Sequence, residues 1–133
     1  VGEDRIGAAR RAAAELGVTV LLKGYATVVA APAGYCYLNP TGVPALATAG
    51  SGDVLSGLIG SLLATGIEAG LAAASAAYLH GKAAALAASL GPMVASDLIS
   101  ALPAVLSGFE RLGACTALRQ SSIWPRSPRT LAG

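Results

Sequence analysis

NPTGVPALATAGSGDVLSGLIGSLLATG, residues 39–66, changes character at Gly50-Ser51-Gly52-Asp53. Upstream, Pro40, Gly42 and Pro44 sit among small residues and exclude a continuous helix. Downstream, Val54, Leu55, Leu58, Ile59, Leu62 and Leu63 recur at helical spacing, and Gly66 supplies a C-terminal stop. The pattern predicts a Gly-rich loop running into the N-terminus of a buried helix. The first N–H groups of a helix have no partner inside it, and the helix dipole places partial positive charge there. Glycines let backbone approach a ligand closely. Gly50, Ser51 and Gly52 therefore form a candidate anion hole, suited above all to phosphate. Asp53 at this end has two readings: with Ser51, a cap on a core helix, or a base aimed at a substrate beside the phosphate.

Before this stretch the chain reads as alternating helix and strand. Residues 3–16 predict a helix with Ile6, Ala9, Ala13 and Leu16 on one stripe. Glu3 and Asp4 favour its start, and Gly17 ends it. Residues 18–22 predict a short buried strand, and helix followed by strand is half of a parallel α/β crossover. Residues 26–31 and 34–38 predict two strands joined by a turn at Pro32-Ala33-Gly34. Tyr35 and Tyr37 share one face of the second, half-covering a sheet, with Cys36 and Leu38 on the other. The class is α/β. Ligands in open α/β sheets gather at the carboxyl ends of strands, where Lys23-Gly24 stands. Lys23 there is either a phosphate contact or a solvated loop lysine.

Asn39-Pro40-Thr41-Gly42 and the run from Ala47 through Gly50-Ser51-Gly52-Asp53-Val54-Leu55-Ser56-Gly57 closely resemble the ADP-dependent NAD(P)H-hydrate dehydratases of the ribokinase-like superfamily. Lys23-Gly24 with Thr27-Val28-Val29-Ala30, and Tyr78-Leu79-His80-Gly81, fit the same pattern in the same order across residues 19–106. The Gly-x-Gly-Asp element marks the superfamily; the Asn-Pro-Thr-Gly before it and Asp-Val-Leu-x-Gly after it mark the dehydratase branch. The resemblance implies a three-layer sandwich, with residues 1–106 as the C-terminal part of a nucleotide-binding domain. It implies repair of hydrated NADH or NADPH, in which ADP (or ATP) phosphorylates the hydrate hydroxyl and phosphate then leaves. It assigns nucleotide contacts to Lys23, Gly24, Tyr25, Ala26, Thr27 and Gly52, and the role of catalytic base and substrate contact to Asp53. Mg2+ is expected beside the phosphates, and no residue is assigned as its ligand.

Ala49 stands where the resemblance leads one to expect glycine, and Val43 and Leu46 where Asn and Met are expected. The family's domain is much longer. Its N-terminal half, with the first strands and much of the hydrate pocket, is expected to come from outside these residues or from a second chain, through homo-oligomer formation or pairing with that half. Two other functions compete: a small-molecule kinase of the same superfamily, and an inactive remnant that associates through its open sheet edge.

Composition bounds the partners. The 133 residues are 54% hydrophobic, with much alanine and 5% aromatics, which suits helices packed closely on a sheet. A net charge of +2 argues against nucleic acid or an anionic membrane. Residues 54–67 carry no charge but fall short of the roughly 20 that a span needs. Cys36 and Cys115 lack metal-ligand spacing; Cys36 is expected to be a buried small hydrophobe, and the default compartment is a reducing cytoplasm. No apolar leader follows the polar start.

Residues 68–90 predict one Ala-rich helix, or two broken near His80-Gly81. His80 is expected to pack rather than catalyse. Residues 98–106 predict a further helix with Ser96 as N-cap and a kink or early end at Pro103. Residues 107–133, with Trp124, read as a tail of uncertain order.

Overall fold

The computed structural model describes residues 4–111, which form four α-helices and a three-stranded sheet. Helix α1 (Arg5–Leu16) is capped by the Asp4 side chain, which accepts from Gly7 N–H at 2.8 Å, and ends at Gly17 in the left-handed region (φ 68°). Only the middle of its predicted stripe is covered. Ala9 and Ala13 are buried, while Ile6 and Leu16 at its ends are 41% and 68% exposed.

Strands β1 (Val20–Leu22), β2 (Thr27–Ala30) and β3 (Cys36–Asn39) pair in sequence order. Both pairings are antiparallel, with Leu21 opposite Val29 and Val29 opposite Tyr37. The expected parallel pairing is thus absent among the described strands. The physical reason is loop length: only residues 23–26 separate β1 from β2, whereas a parallel return needs a crossover of about a dozen residues. The Pro32-Ala33-Gly34 turn is present, with Gly34 N–H donating to Ala31 O at 3.0 Å. Cys36 is exposed, not buried. Alternation assigns residues to opposite faces, but among the described residues nothing covers the Cys36 and Leu38 face at the end of the hairpin. Tyr35 and Tyr37 meet edge to face at 5.7 Å and are half-exposed, as a sheet-covering role requires.

The sheet carries helices on both faces. Ala9 and Ala13 of α1 pack with Val20, Leu22, Val28 and Ala30. On the other face, Leu21 packs with Leu55, Leu58, Ile59 and Leu62 of α2 (Ser51–Ala64) and Ala76 and Ala77 of α3 (Ala69–Ala88). The α/β class and three-layer arrangement therefore hold. Helix α2 is buried on one side only; Gly52, Asp53, Ser56 and Gly57 face solvent.

Helix α3 runs unbroken through His80-Gly81, and its alanines allow close approach to α4 (Ala95–Arg111) around the fully buried Leu98. Helix α4 also continues past Pro103. Proline leaves the carbonyl four residues earlier, here that of Ile99, without its helical donor. The expected boundary at residue 106 falls inside this helix. Cys115, Trp124 and the rest of the proposed tail after Arg111 lie outside the described residues. No described helix is long and apolar enough to cross a membrane.

Candidate functional site

The β1–β2 loop, the stretch after β3 and the middle of α3 enclose a cavity of about 410 Å3. Lys23, Gly24, Tyr25 and Thr27 line it from the loop and the start of β2, Asn39, Gly42 and Val43 from the stretch after β3, and Ala77 and His80 from α3. Most of the wall is apolar. Its polar groups are few and fixed, which is the character of a small-molecule site.

One side chain ties this loop to the start of α2 across 28 residues. Lys23 Nζ donates to Ser51 Oγ at 2.9 Å, and Ser51 Oγ donates to Leu46 O at 2.8 Å. Ser51 is 2% exposed. Its carbonyl oxygen lies 2.8 Å from His80 Nε2, so that nitrogen carries the proton and donates. Burial holds the His80 pKa below its ordinary value; nearby Lys23 acts the same way, and the bond to Ser51 O opposes them. The imidazole is buried and bonded to a backbone carbonyl, which agrees with the packing expected of this histidine.

Gly50 precedes α2 with φ 81°, in the left-handed region that favours glycine. Its carbonyl accepts from both Asp53 N–H (3.1 Å) and Val54 N–H (3.2 Å). The helix has no side-chain cap bond, so the capping role considered for Ser51 and Asp53 is not the one they occupy. Ser51 turns its hydroxyl inward to Leu46 and Lys23. Asp53 is exposed, at the head of an open groove between α2 and α4 lined by Val54, Gly57, Leu58, Ser61, Ile99 and Leu102. The structure thus gathers Lys23, Gly24, Tyr25 and Thr27 at one cavity and joins them through Ser51 to the Gly50–Gly52 turn. It does not bring Asp53 into that cavity. Ala26 contributes its backbone to the loop rather than a wall.

Several residues that carried the resemblance were given no structural role by the sequence reading, and Arg5 was not singled out at all. Asn39 Oδ1 accepts from Thr41 Oγ1 at 2.9 Å and from Thr41 N–H at 3.3 Å, folding the Asn-Pro-Thr-Gly stretch on itself. A Cβ on Gly42 would overlap Tyr25 O, and one on Gly81 would meet Thr41 O at 2.5 Å. These two glycines therefore let the stretch lie flat between the β1–β2 loop and α3. The available signal was Gly81 itself, because a glycine inside an Ala-rich helix costs about 1 kcal/mol and usually has a packing reason. Arg5, which binds the β1–β2 loop from α1, gave no signal.

Among the described residues no group of three or more His, Cys, Asp and Glu is placed to hold a metal ion. Asp53 is the carboxylate at the α2 N-terminus. That donor set fits a Mg2+ carried by nucleotide phosphates and water, the usual arrangement for this cation, rather than a protein cage.

Comparison with known proteins agrees with this architecture. The family profile for NAD(P)H-hydrate dehydratase matches residues 1–104, and the chain belongs to that family. It is 60% identical over 88 residues to the bifunctional NAD(P)H-hydrate repair enzyme Nnr of Mycobacterium leprae, covering 66% of this chain and 19% of that protein. It is 42% identical over 105 residues to the ADP-dependent (S)-NAD(P)H-hydrate dehydratase of Bacillus subtilis, covering 77% and 38%. The crystal structure of the Bacillus subtilis ADP/ATP-dependent NAD(P)H-hydrate dehydratase, co-crystallised with ATP/Mg2+, superposes with a TM-score of 0.76 at 39% identity. That match covers 80% of this chain and 40% of the other, and it makes the fold ribokinase-like. The chain spans well under half the length of each of these relatives.

Proposed function

We propose that this chain supplies the nucleotide-binding and phosphoryl-transfer part of an ADP-dependent NAD(P)H-hydrate dehydratase. The observation that carries the reading is the Lys23–Ser51 hydrogen bond, which couples the loop of residues 23–27 to the glycine turn ahead of Asp53. In this reading the cavity takes the nucleoside of ADP or ATP, and Lys23, Gly24, Tyr25, Ala26, Thr27 and Gly52 contact the nucleotide. The backbone N–H groups of Gly50 and Gly52, joined by that of Ser51 once it leaves Thr48 O, to which it donates at 3.4 Å, hold charge that develops on the transferring phosphoryl group. Asp53 accepts the proton of the hydrate hydroxyl, making its oxygen a competent nucleophile. The terminal phosphoryl group of the nucleotide passes to that oxygen and leaves AMP (from ADP); the C–O bond then breaks with phosphate as the leaving group while the neighbouring ring carbon gives up a proton to solvent, and the double bond of NADH or NADPH forms. Mg2+ carried on the nucleotide would neutralise phosphate charge.

The exposed Asp53 groove and the outer edge of β1 are where the remaining length of the relatives would complete the site, from a preceding segment or a second copy. A cytoplasmic setting, where NADH and NADPH turn over, suits the substrate. The deciding assay supplies hydrated NADH with ADP and Mg2+ and follows recovery of NADH absorbance with one AMP and one phosphate formed per turnover. Accumulation of a phosphorylated product without NADH recovery would favour a small-molecule kinase instead. Asp53→Asn is expected to lower turnover about a hundredfold or more while leaving ADP affinity within about twofold.

A further inference from the structure

Arg5 begins α1, yet its side chain serves a different element. Nη1 donates to Ala26 O at 3.0 Å, and Nη2 donates to Lys23 O at 3.0 Å and to Leu22 O at 3.3 Å. Three carbonyls, one from the end of β1 and two from the loop that follows it, therefore converge on one guanidinium. Such charge-assisted bonds are stronger than neutral ones, and the planar fork sets their directions as well as their number.

The same loop is held from two other sides. Gly24 lies against the guanidinium so closely that a Cβ would overlap Arg5 Nη1 and Nη2. Opposite, the Gly42 backbone presses on Tyr25 O, while the Lys23 side chain is tied to Ser51 Oγ. Arg5 itself does not line the cavity; anything it does for a ligand passes through the loop.

We propose that Arg5 is a positioning residue for the nucleotide: by binding the carbonyls of Leu22, Lys23 and Ala26 it fixes the loop in the shape that presents Lys23 and Thr27 to the cavity. This rests on the nucleotide reading of residues 23–27. A lysine at position 5 keeps the charge but offers a compact point donor in place of the fork, so it cannot hold three diverging carbonyls. Arg10 provides an internal control. It also donates to a backbone carbonyl, Gly34 O at 2.8 Å, but at the far hairpin turn.

The test measures ADP binding with Mg2+ by calorimetry, ligand-free melting, and amide hydrogen exchange of residues 24–27, for the parent chain, Arg5→Lys, Arg10→Lys, Gly24→Ala and the double variant Arg5→Lys/Gly24→Ala. Arg5→Lys is expected to weaken ADP binding about tenfold and speed exchange in the loop several-fold, with a cooperative ligand-free melt retained. Arg10→Lys should leave the affinity unchanged. Gly24→Ala should weaken binding by displacing the guanidinium, and the double variant should bind no worse than the weaker single one, because both break the same contact. Binding by Arg5→Lys within twofold of the parent would overturn the positioning role alone, and so would loss of its cooperative melt, which would make Arg5 a general fold residue. A parent chain that binds no ADP would overturn the nucleotide reading, and this inference with it.

Discussion

The two sides of Ser51 are built differently. On one side the β1–β2 loop is held by Arg5, by Lys23 reaching Ser51 and by Gly42 lying flat on Tyr25, around a walled cavity. On the other side Asp53 stands exposed at the head of an open groove, and a Cβ added at Gly52 would meet nothing within 4 Å. The contrast separates two tasks that one motif joins in sequence. On the proposed function, fixing a nucleotide requires groups that converge, and the β1–β2 loop would supply them. Enclosing a carboxylate with its substrate requires walls, and among the described residues Asp53 has only the α2–α4 groove. On the proposed function, binding is the property this chain holds by itself, and turnover is the property that depends on what closes over Asp53.

That contrast orders the expected effects. The largest is Asp53→Asn, which should remove turnover and spare ADP binding; equal loss of both would join the two sides and end the distinction. Next comes a pair of glycine substitutions. Gly42→Ala drives a methyl into backbone on the packed side, where overpacking costs roughly 1–3 kcal/mol, and should lower the melting temperature and weaken ADP binding together. Gly52→Ala on the open side should leave stability within about 0.5 kcal/mol while weakening ADP, whose phosphates approach that backbone on the proposed reading. Denaturant melts with parallel ADP titrations separate the two. A large stability loss at Gly52 would show that the open side is not open.

The smallest effect is a pH dependence from His80. Burial lowers its pKa in the fold, so the unfolded chain takes up a proton near pH 6.5 while the folded chain does so only at lower pH. Its contribution to stability is complete above about pH 6.5 and declines as pH falls below that value. Melts of the parent between about pH 7.5 and pH 5 should therefore lose stability more steeply than those of His80→Gln. Parallel profiles would mean that the imidazole is not held neutral on Ser51 O.

How much of this was legible in the sequence follows from how far apart the interacting groups lie. The glycine turn and the start of α2 are local patterns, and the structure keeps both where the sequence puts them; the strand expected from residue 26 begins one residue later, at Thr27. The antiparallel sheet was also legible, through the four-residue loop between β1 and β2, but a helix-then-strand reading outweighed that signal. Cys36 was misplaced because strand alternation names two faces without saying which is covered. Arg5 and His80 were beyond local pattern. Arg5 acts across 17–21 residues and His80 across 29, and a surface-facing arginine at a helix start looks the same whether or not it binds a loop. The continuation of α4 past Pro103 runs against the local rule that proline kinks or ends a helix.

The most direct test of the separation between binding and turnover is thermal unfolding of this chain and of Asp53→Asn, each with and without ADP and Mg2+. A ligand at a hundred times its Kd that binds only the folded state adds about 2.7 kcal/mol of stability. Both proteins should show an upward shift of the melting temperature, equal within error. No shift in the parent at saturating ADP, or a shift that Asp53→Asn abolishes, would contradict the account: the first because the braced loop would then hold no nucleotide, the second because binding would then depend on the open side.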